Sequence, residues 1–180
     1  MAEYKLNIKV DPAWVTKYKS DKYKICLAFG FDTAAWPDST KYNVIGYSSV
    51  RFDDATTPQP ISSGQAWTLP PDWSEGTSSS DPDAPESGFL FLNETSSASA
   101  VIYKTVNGVE TPVYVSHFGP LPAGKEFLTP RLQAAVWFQV AAETGAMIDN
   151  HETPIKVVDF TEATSHEIEY EASGVWKIVS

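Results

Sequence analysis

Apolar residues in this chain return at every second position in short runs, and nearly every run is closed by Gly, Pro or Asn. Period two sends successive side chains to opposite faces of an extended backbone. A chain patterned this way folds by burying the apolar faces of strands against one another. Tyr4, Leu6, Ile8 and Val10 alternate with Lys5, Asn7 and Lys9, which predicts a half-buried first strand. Asp11-Pro12 stops it, and the pair suits the cap and first position of a short helical turn through Trp14 and Tyr18. Residues 23–29 are apolar on both faces, as in a central strand, and they hold the chain's single cysteine, Cys26, as a buried, inert thiol.

Further strands are predicted over 42–50, with a bulge at Gly46, and over 65–69, 89–92 and 154–160. Residues 101–106 and 109–115 flank Asn107-Gly108. Both turn residues tolerate positive φ, so this is the strongest local hairpin signal in the chain. His166, Ile168, Tyr170 and Ala172 alternate with Glu167, Glu169 and Glu171. Ser173-Gly174 then turns the chain, and 175–179 returns antiparallel. The three glutamates form a solvated face that would also protect a sheet edge from pairing.

One stretch reads two ways. Thr129-Pro130 resembles a helix cap and first turn, and Gly145 a helix stop. Against that, Leu132, Ala134, Val136, Phe138 and Val140 alternate with Trp137 and Gln139, so strand is the preferred reading of 132–140.

The pattern as a whole predicts an all-β fold, an antiparallel β-sandwich of about nine or ten strands with at most one or two short helices. Its 180 residues fit a single domain spanning 1–180. Residues 70–88, PPDWSEGTSSSDPDAPESG, read as a flexible polar loop within it. Six Trp, eight Tyr and nine Phe supply enough aromatic surface for a large core.

Charge narrows the partners. The formal net charge is −10, which disfavours nucleic acid and anionic lipid as ligands of a broad surface. Residues 1–41 carry net +2 and 42–180 net −12, and no Lys or Arg lies between Arg51 and Lys104. This asymmetry reads as an uneven solvated surface; attraction between the two ends, or between copies, is the alternative. A single cysteine excludes an internal disulfide framework and a multi-cysteine zinc site. The first residues do not resemble a secretory leader, and no run reaches the ~18 apolar residues of a membrane helix, so a cytoplasmic protein is expected. Asn93-Glu94-Thr95 matches the glycosylation triplet and reads as a surface turn.

No nucleophile elbow, phosphate loop or dinucleotide fingerprint is present, and no spacing singles out a pair of catalytic carboxylates. Metal ligation has candidates in Asp53, Asp54, Asp149, His151 and Glu152, with Asp81, Asp83 and Glu86 faintly like the start of a calcium loop. Each run alone supplies only part of a shell, so solvated loops are the preferred reading, with a hard divalent cation between two of them as the alternative. The more distinctive feature is aromatic. Trp36, Trp67 and Trp73 lie in or beside loops rich in Pro, Ser, Thr and Asp, whereas Trp14, Trp137 and Trp176 fall in periodic, core-like segments. Such a loop tryptophan either plugs an end of the sandwich, the preferred reading for each alone, or is offered to a ligand; in the second case the indole face stacks on the C–H face of a sugar, and a neighbouring carboxylate accepts its hydroxyl protons. Asp72 beside Trp73 has this form, and His117 ends a strand where it could line the same site.

Lys41-Tyr42-Asn43-Val44-Ile45-Gly46-Tyr47, together with Val136-Trp137-Phe138-Gln139 and Glu143-Thr144-Gly145-Ala146-Met147-Ile148, resembles small intracellular β-sandwich proteins of mushroom-forming fungi. The wider group includes fruiting-body lectins with an actinoporin-like sandwich. The resemblance implies a fold and a protein type, and it carries no binding residues over. The expected function is therefore non-enzymatic binding of a small ligand. A glycan held by Trp36, Trp67, Asp72, Trp73 and His117 comes first, and a pigment or aromatic metabolite second. A membrane-acting defence protein is a further alternative, although the acidic charge and the N-terminal strand depart from that type. A sugar- or ester-directed enzyme, and an oligomer built through sheet edges, are the remaining ones.

Overall fold

A computed structural model of the chain describes residues 4–33, 42, 60–116, 122–140, 142, 148 and 153–180. Among them are eleven strands and one helix, an all-β, sandwich-like fold. The elements are β1 (Lys5–Val10), α1 (Pro12–Ser20), β2 (Tyr23–Thr33), β3 (Gln65–Leu69), β4 (Thr77–Ser80), β5 (Phe89–Asn93), β6 (Val101–Val106), β7 (Val109–Val115), β8 (Gly124–Val140), β9 (Lys156–Asp159), β10 (Ser165–Tyr170) and β11 (Trp176–Ile178). The strand predicted over 42–50 lies largely outside the described residues.

The organising element is β8. It runs for 17 residues and is strand throughout, so the helical alternative for 129–147 is overturned over 129–140. Along one side it pairs with β2, from Tyr23 opposite Val140 to Thr33 opposite Leu128. Its other side is shared by β5, opposite 124–128, and β9, opposite 133–136. Pro130 has no N–H to give to a ladder. It falls between those two partners, where the β2 register also shifts between Phe29 and Phe31. The six-stranded sheet reads β2-β8-β5-β3-β4, with β9 added on β8.

Two smaller units pack on it. One is the three-stranded sheet β1-β10-β11, and the other is the hairpin β6-β7. Alternation along β8 separates the cores. Ala134, Val136 and Phe138 pack with Tyr18, Val158, Phe160, Ile168, Tyr170 and Trp176 under the smaller sheet and α1. Ala135 and Trp137 face the other way, with Cys26, Ala28 and Ala142. Towards the start of β8, Leu128 joins Phe31, Leu69, Phe91, Val113 and Tyr114 beneath the hairpin. The sequence-predicted core residues Trp137 and Trp176 are buried, and Trp14 is half-buried against the rings of Tyr18 and Tyr170.

The hairpin turn forms as patterned, with Asn107 at φ +50° and Gly108 at φ +78°. Asp11 caps α1 by accepting from Ala13 N at 2.9 Å, and its own N–H donates to Tyr170 O at 2.9 Å. That second bond ties the helix to β10. Asp11→Ala is expected to cost about 1 kcal/mol, as for other lost caps, read as a fall in the urea midpoint at unchanged slope.

Three expectations need correcting. The sandwich is mixed, because β1 runs parallel to β10 and β3 parallel to β5. The row Glu167, Glu169 and Glu171 guards no edge, since β10 lies between β1 and β11. Instead, Lys9 on β1 bonds Glu167 at 2.7 Å, so the basic first strand meets the acidic tail of the chain, and within that tail Lys177 approaches Glu171 at 3.6 Å. Within 70–88, read as loop, Thr77–Ser80 pairs with β3 as an exposed edge strand.

Candidate functional site

Register places the sequence-predicted aromatics relative to one another. Trp67 on β3 stands opposite Phe91 on β5, and Phe91 opposite Glu126 on β8. The three side chains therefore share one face, about 10 Å from first to last at the usual strand spacing. The next row is Leu69, Asn93 and Gly124, which ends β3, ends β5 and begins β8. The turn after Leu69, the residues after Asn93 and the residues before Gly124 thus gather at one end of the sheet.

Trp67 is a wall of this end rather than an open platform. Its ring stacks on Phe91 at 5.9 Å and 20°. Gly76 roofs it so closely that a Cβ there would fall into the indole ring and against Thr68 O, which is why only glycine suits position 76. Trp73 is the opposite case. It is 45% exposed and held at φ +59°, a conformation costly for a bulky residue. The turn is fixed locally, with Trp73 N donating to Pro70 O at 3.1 Å and Ser74 N to Asp72 Oδ1 at 3.1 Å. The hydroxyl and N–H of Ser74 hold the exposed Asp72 carboxyl below its usual range, so it is ionised near neutrality.

A cavity of about 160 Å³ opens at the same end, lined by Phe91, Asn93, Pro122, Ala123, Gly124, Lys125 and Glu126. Asn93 is buried and braces both sides of it. Its Oδ1 accepts from Thr95 N and Oγ1 at 2.9 and 2.7 Å, and its Nδ2 donates to Pro122 O at 3.2 Å. Glu126 is only 6% exposed. Tyr114 OH donates to its Oε1 at 3.0 Å, while Oε2 is buried with no hydrogen-bond partner among the described residues. Burial pushes this carboxyl up from its ordinary value, and the Tyr114 and Ser116 hydroxyls oppose that push. Ser116 Oγ is near enough to favour the ionised form, yet it too makes no hydrogen bond of ordinary geometry. Lys125 is committed elsewhere, to Asp83 at 2.6 Å.

Sequence reasoning missed Glu126 and Tyr114. In Gly-Lys-Glu-Phe-Leu an apolar residue follows the glutamate on each phase of the alternation, so the inward phase is not marked. Of the predicted site residues, Trp67, Asp72 and Trp73 come to this end of the sheet. Trp36 and His117 lie outside the described residues.

The metal candidates Asp53, Asp54, Asp149, His151 and Glu152 also lie outside the described residues. Among those described, no three His, Cys, Asp or Glu side chains converge as a metal shell would need. Asp83 is taken by Lys125, and Asp81 Oδ1 accepts from Asp83 N at 2.8 Å. His166 packs edge-on against Phe160, with ring centroids 5.1 Å apart.

A second polar row crosses the far face of the sheet. Arg131 pairs with the buried Asp32, and Tyr42 OH donates to Gln133 Oε1 at 3.0 Å. Gln133 Nε2 donates to Asp159 Oδ2 at 2.8 Å. The hydroxyl of Thr161, then Gln133, brings Asp159 down to about 2, while burial raises Tyr42. Apart from Asp32 Oδ1, which is buried with no hydrogen-bond partner among the described residues, these groups satisfy one another, so they read as structural. No described helix is long and apolar enough to cross a membrane.

No family model, curated protein or solved structure matches the chain.

Proposed function

We propose that the protein is a non-enzymatic binding module that takes a small glycan at the end of the sheet formed by the Asp72-Trp73 turn and the Asn93–Glu126 cavity. One observation carries this reading. Trp73 is held open to water in a left-handed backbone conformation, fixed by the Asp72 turn, at the same end as the cavity. Exposing a bulky apolar ring on a strained turn costs folding free energy, and offering that ring as a stacking face accounts for the cost. Asp72, ionised and exposed, supplies the acceptor that orients sugar hydroxyls.

Titration of the full chain against a panel of mono- and oligosaccharides, followed by calorimetry and tryptophan fluorescence, tests the reading. At least one glycan is expected to bind with a fluorescence change. Trp73→Ala is expected to weaken it by about tenfold or more, the ~1.4 kcal/mol of one stacked aromatic anchor, with the thermal midpoint little altered. A panel with no binder, or a bound sugar indifferent to Trp73, overturns it.

A further inference from the structure

Alternation fixes where the backbone of β11 makes its hydrogen bonds. Glu171 N donates to Val175 O at 2.9 Å and Val179 N donates to Glu167 O at 2.8 Å, so the odd positions along β11 bond to β10. In an antiparallel ladder the positions between them point the other way. The N–H and C=O of Trp176 and Ile178 therefore face outward, and β11 has no partner on that side among the described residues.

The side chains at this edge are apolar as well. Val175, Ile178 and Val179 are all exposed. At the opposite edge of the same sheet, Leu6, Ile8 and Val10 of β1 are partly buried against the core. An open strand edge lined with exposed apolar side chains is a template for a further strand.

The edge fits a copy of itself. A two-fold axis at Lys177 sets Trp176 opposite Ile178 of the second copy, and each such pair exchanges both N–H···O bonds. The same register sets Val175 opposite Val179 of the second copy, so the exposed valines cover each other. The two Lys177 also come opposite, which alone would oppose pairing. Each, however, approaches Glu171 at 3.6 Å and has Glu169 as its register partner, so the joined face carries no excess positive charge. We propose that the protein associates with a second copy of itself through β11, as a two-fold dimer with one continuous sheet ordered β1-β10-β11-β11-β10-β1. A two-fold contact uses the same surface on both copies, so association stops at the dimer.

Sedimentation of the full chain between about 1 and 500 µM tests this, and an edge this short belongs with the small, weak interfaces, so association is expected in the upper part of that range. The mass is expected to rise towards twice that of the chain and no further. Amide exchange followed by NMR should slow at Trp176 and Ile178 as concentration rises, while Lys177, bonded within the chain, changes little. Ile178→Pro removes an N–H that the internal ladder does not use, and Val179→Lys adds a charge to the edge. Each is expected to weaken association about tenfold or more. Val109→Lys, exposed at the start of β7, is the control and should have no effect. A chain that stays monomeric across the range, association that both edge variants leave unchanged, or a mass that grows past the dimer overturns the proposal.

Discussion

Phe138→Ala is expected to cost about 3–5 kcal/mol, the range for emptying a large aromatic from a packed core. Phe138 is 3% exposed and forms the hub of an aromatic cluster. Its ring centroid lies 4.5 Å from Tyr18, 4.9 Å from Tyr170 and 5.3 Å from Trp176. Those three rings come from α1, β10 and β11, so one side chain on β8 joins the central sheet to the helix and the smaller sheet packed over it. Whole domains are stable by only ~5–15 kcal/mol, so the variant should be marginal at 37 °C. Urea unfolding gives the number. Leu132→Ala, on the same strand but 43% exposed, serves as the control and should cost far less. A loss under about 1 kcal/mol at Phe138 would mean that the smaller sheet does not depend on this contact.

The elements legible in the sequence are those whose signal is local. Asn107-Gly108 and Ser173-Gly174 sit between alternating runs, and each forms its turn with glycine at positive φ. Asp11-Pro12 caps and starts a helix by chemistry contained in a few residues. What stayed hidden is non-local. Period two tells which face a residue takes, but not which strand lies alongside, so the parallel pairing of β1 with β10 was invisible across more than 150 residues. β4 was hidden for a different reason. Thr-Ser-Ser-Ser has no apolar phase, and only its register against Gln65–Thr68 makes it a strand.

The candidate site was half legible. Trp67 and Trp73 have the same kind of polar, Pro-rich surroundings in sequence. Only the fold shows that Gly76 closes over one of them and that the other stands open. Glu126 was not legible at all. Its Oε1 is met by the hydroxyl of Tyr114, which belongs to a different strand pair, and no property of residues 122–128 foretells that contact.

Glu126→Gln is expected to stabilise the free protein near neutral pH by about 1–3 kcal/mol, the usual cost of an unsatisfied buried polar group. The substitution keeps Oε1 as the acceptor for Tyr114 and places an amide donor where Oε2 has none, beside Ser116 Oγ. The pH dependence identifies the cause. Burial raises the folded-state carboxyl above its ordinary value of 4.5, so the native state holds this proton more tightly than the unfolded chain does. Its contribution is fully present below the unfolded value and is lost as pH rises through the folded one. Wild type and variant should therefore converge below about pH 4.5 and separate progressively above it. Asp72 and Asp159, whose carboxyls are lowered, act with the opposite sign: their stabilisation disappears on acidification. They are unchanged in the variant, so they cancel in the difference between the two curves. Chemical denaturation of both proteins between about pH 4 and pH 8 measures that difference. A gap independent of pH would assign the effect to packing. A variant less stable than wild type at neutral pH would show that a donor inside the fold already serves the carboxylate.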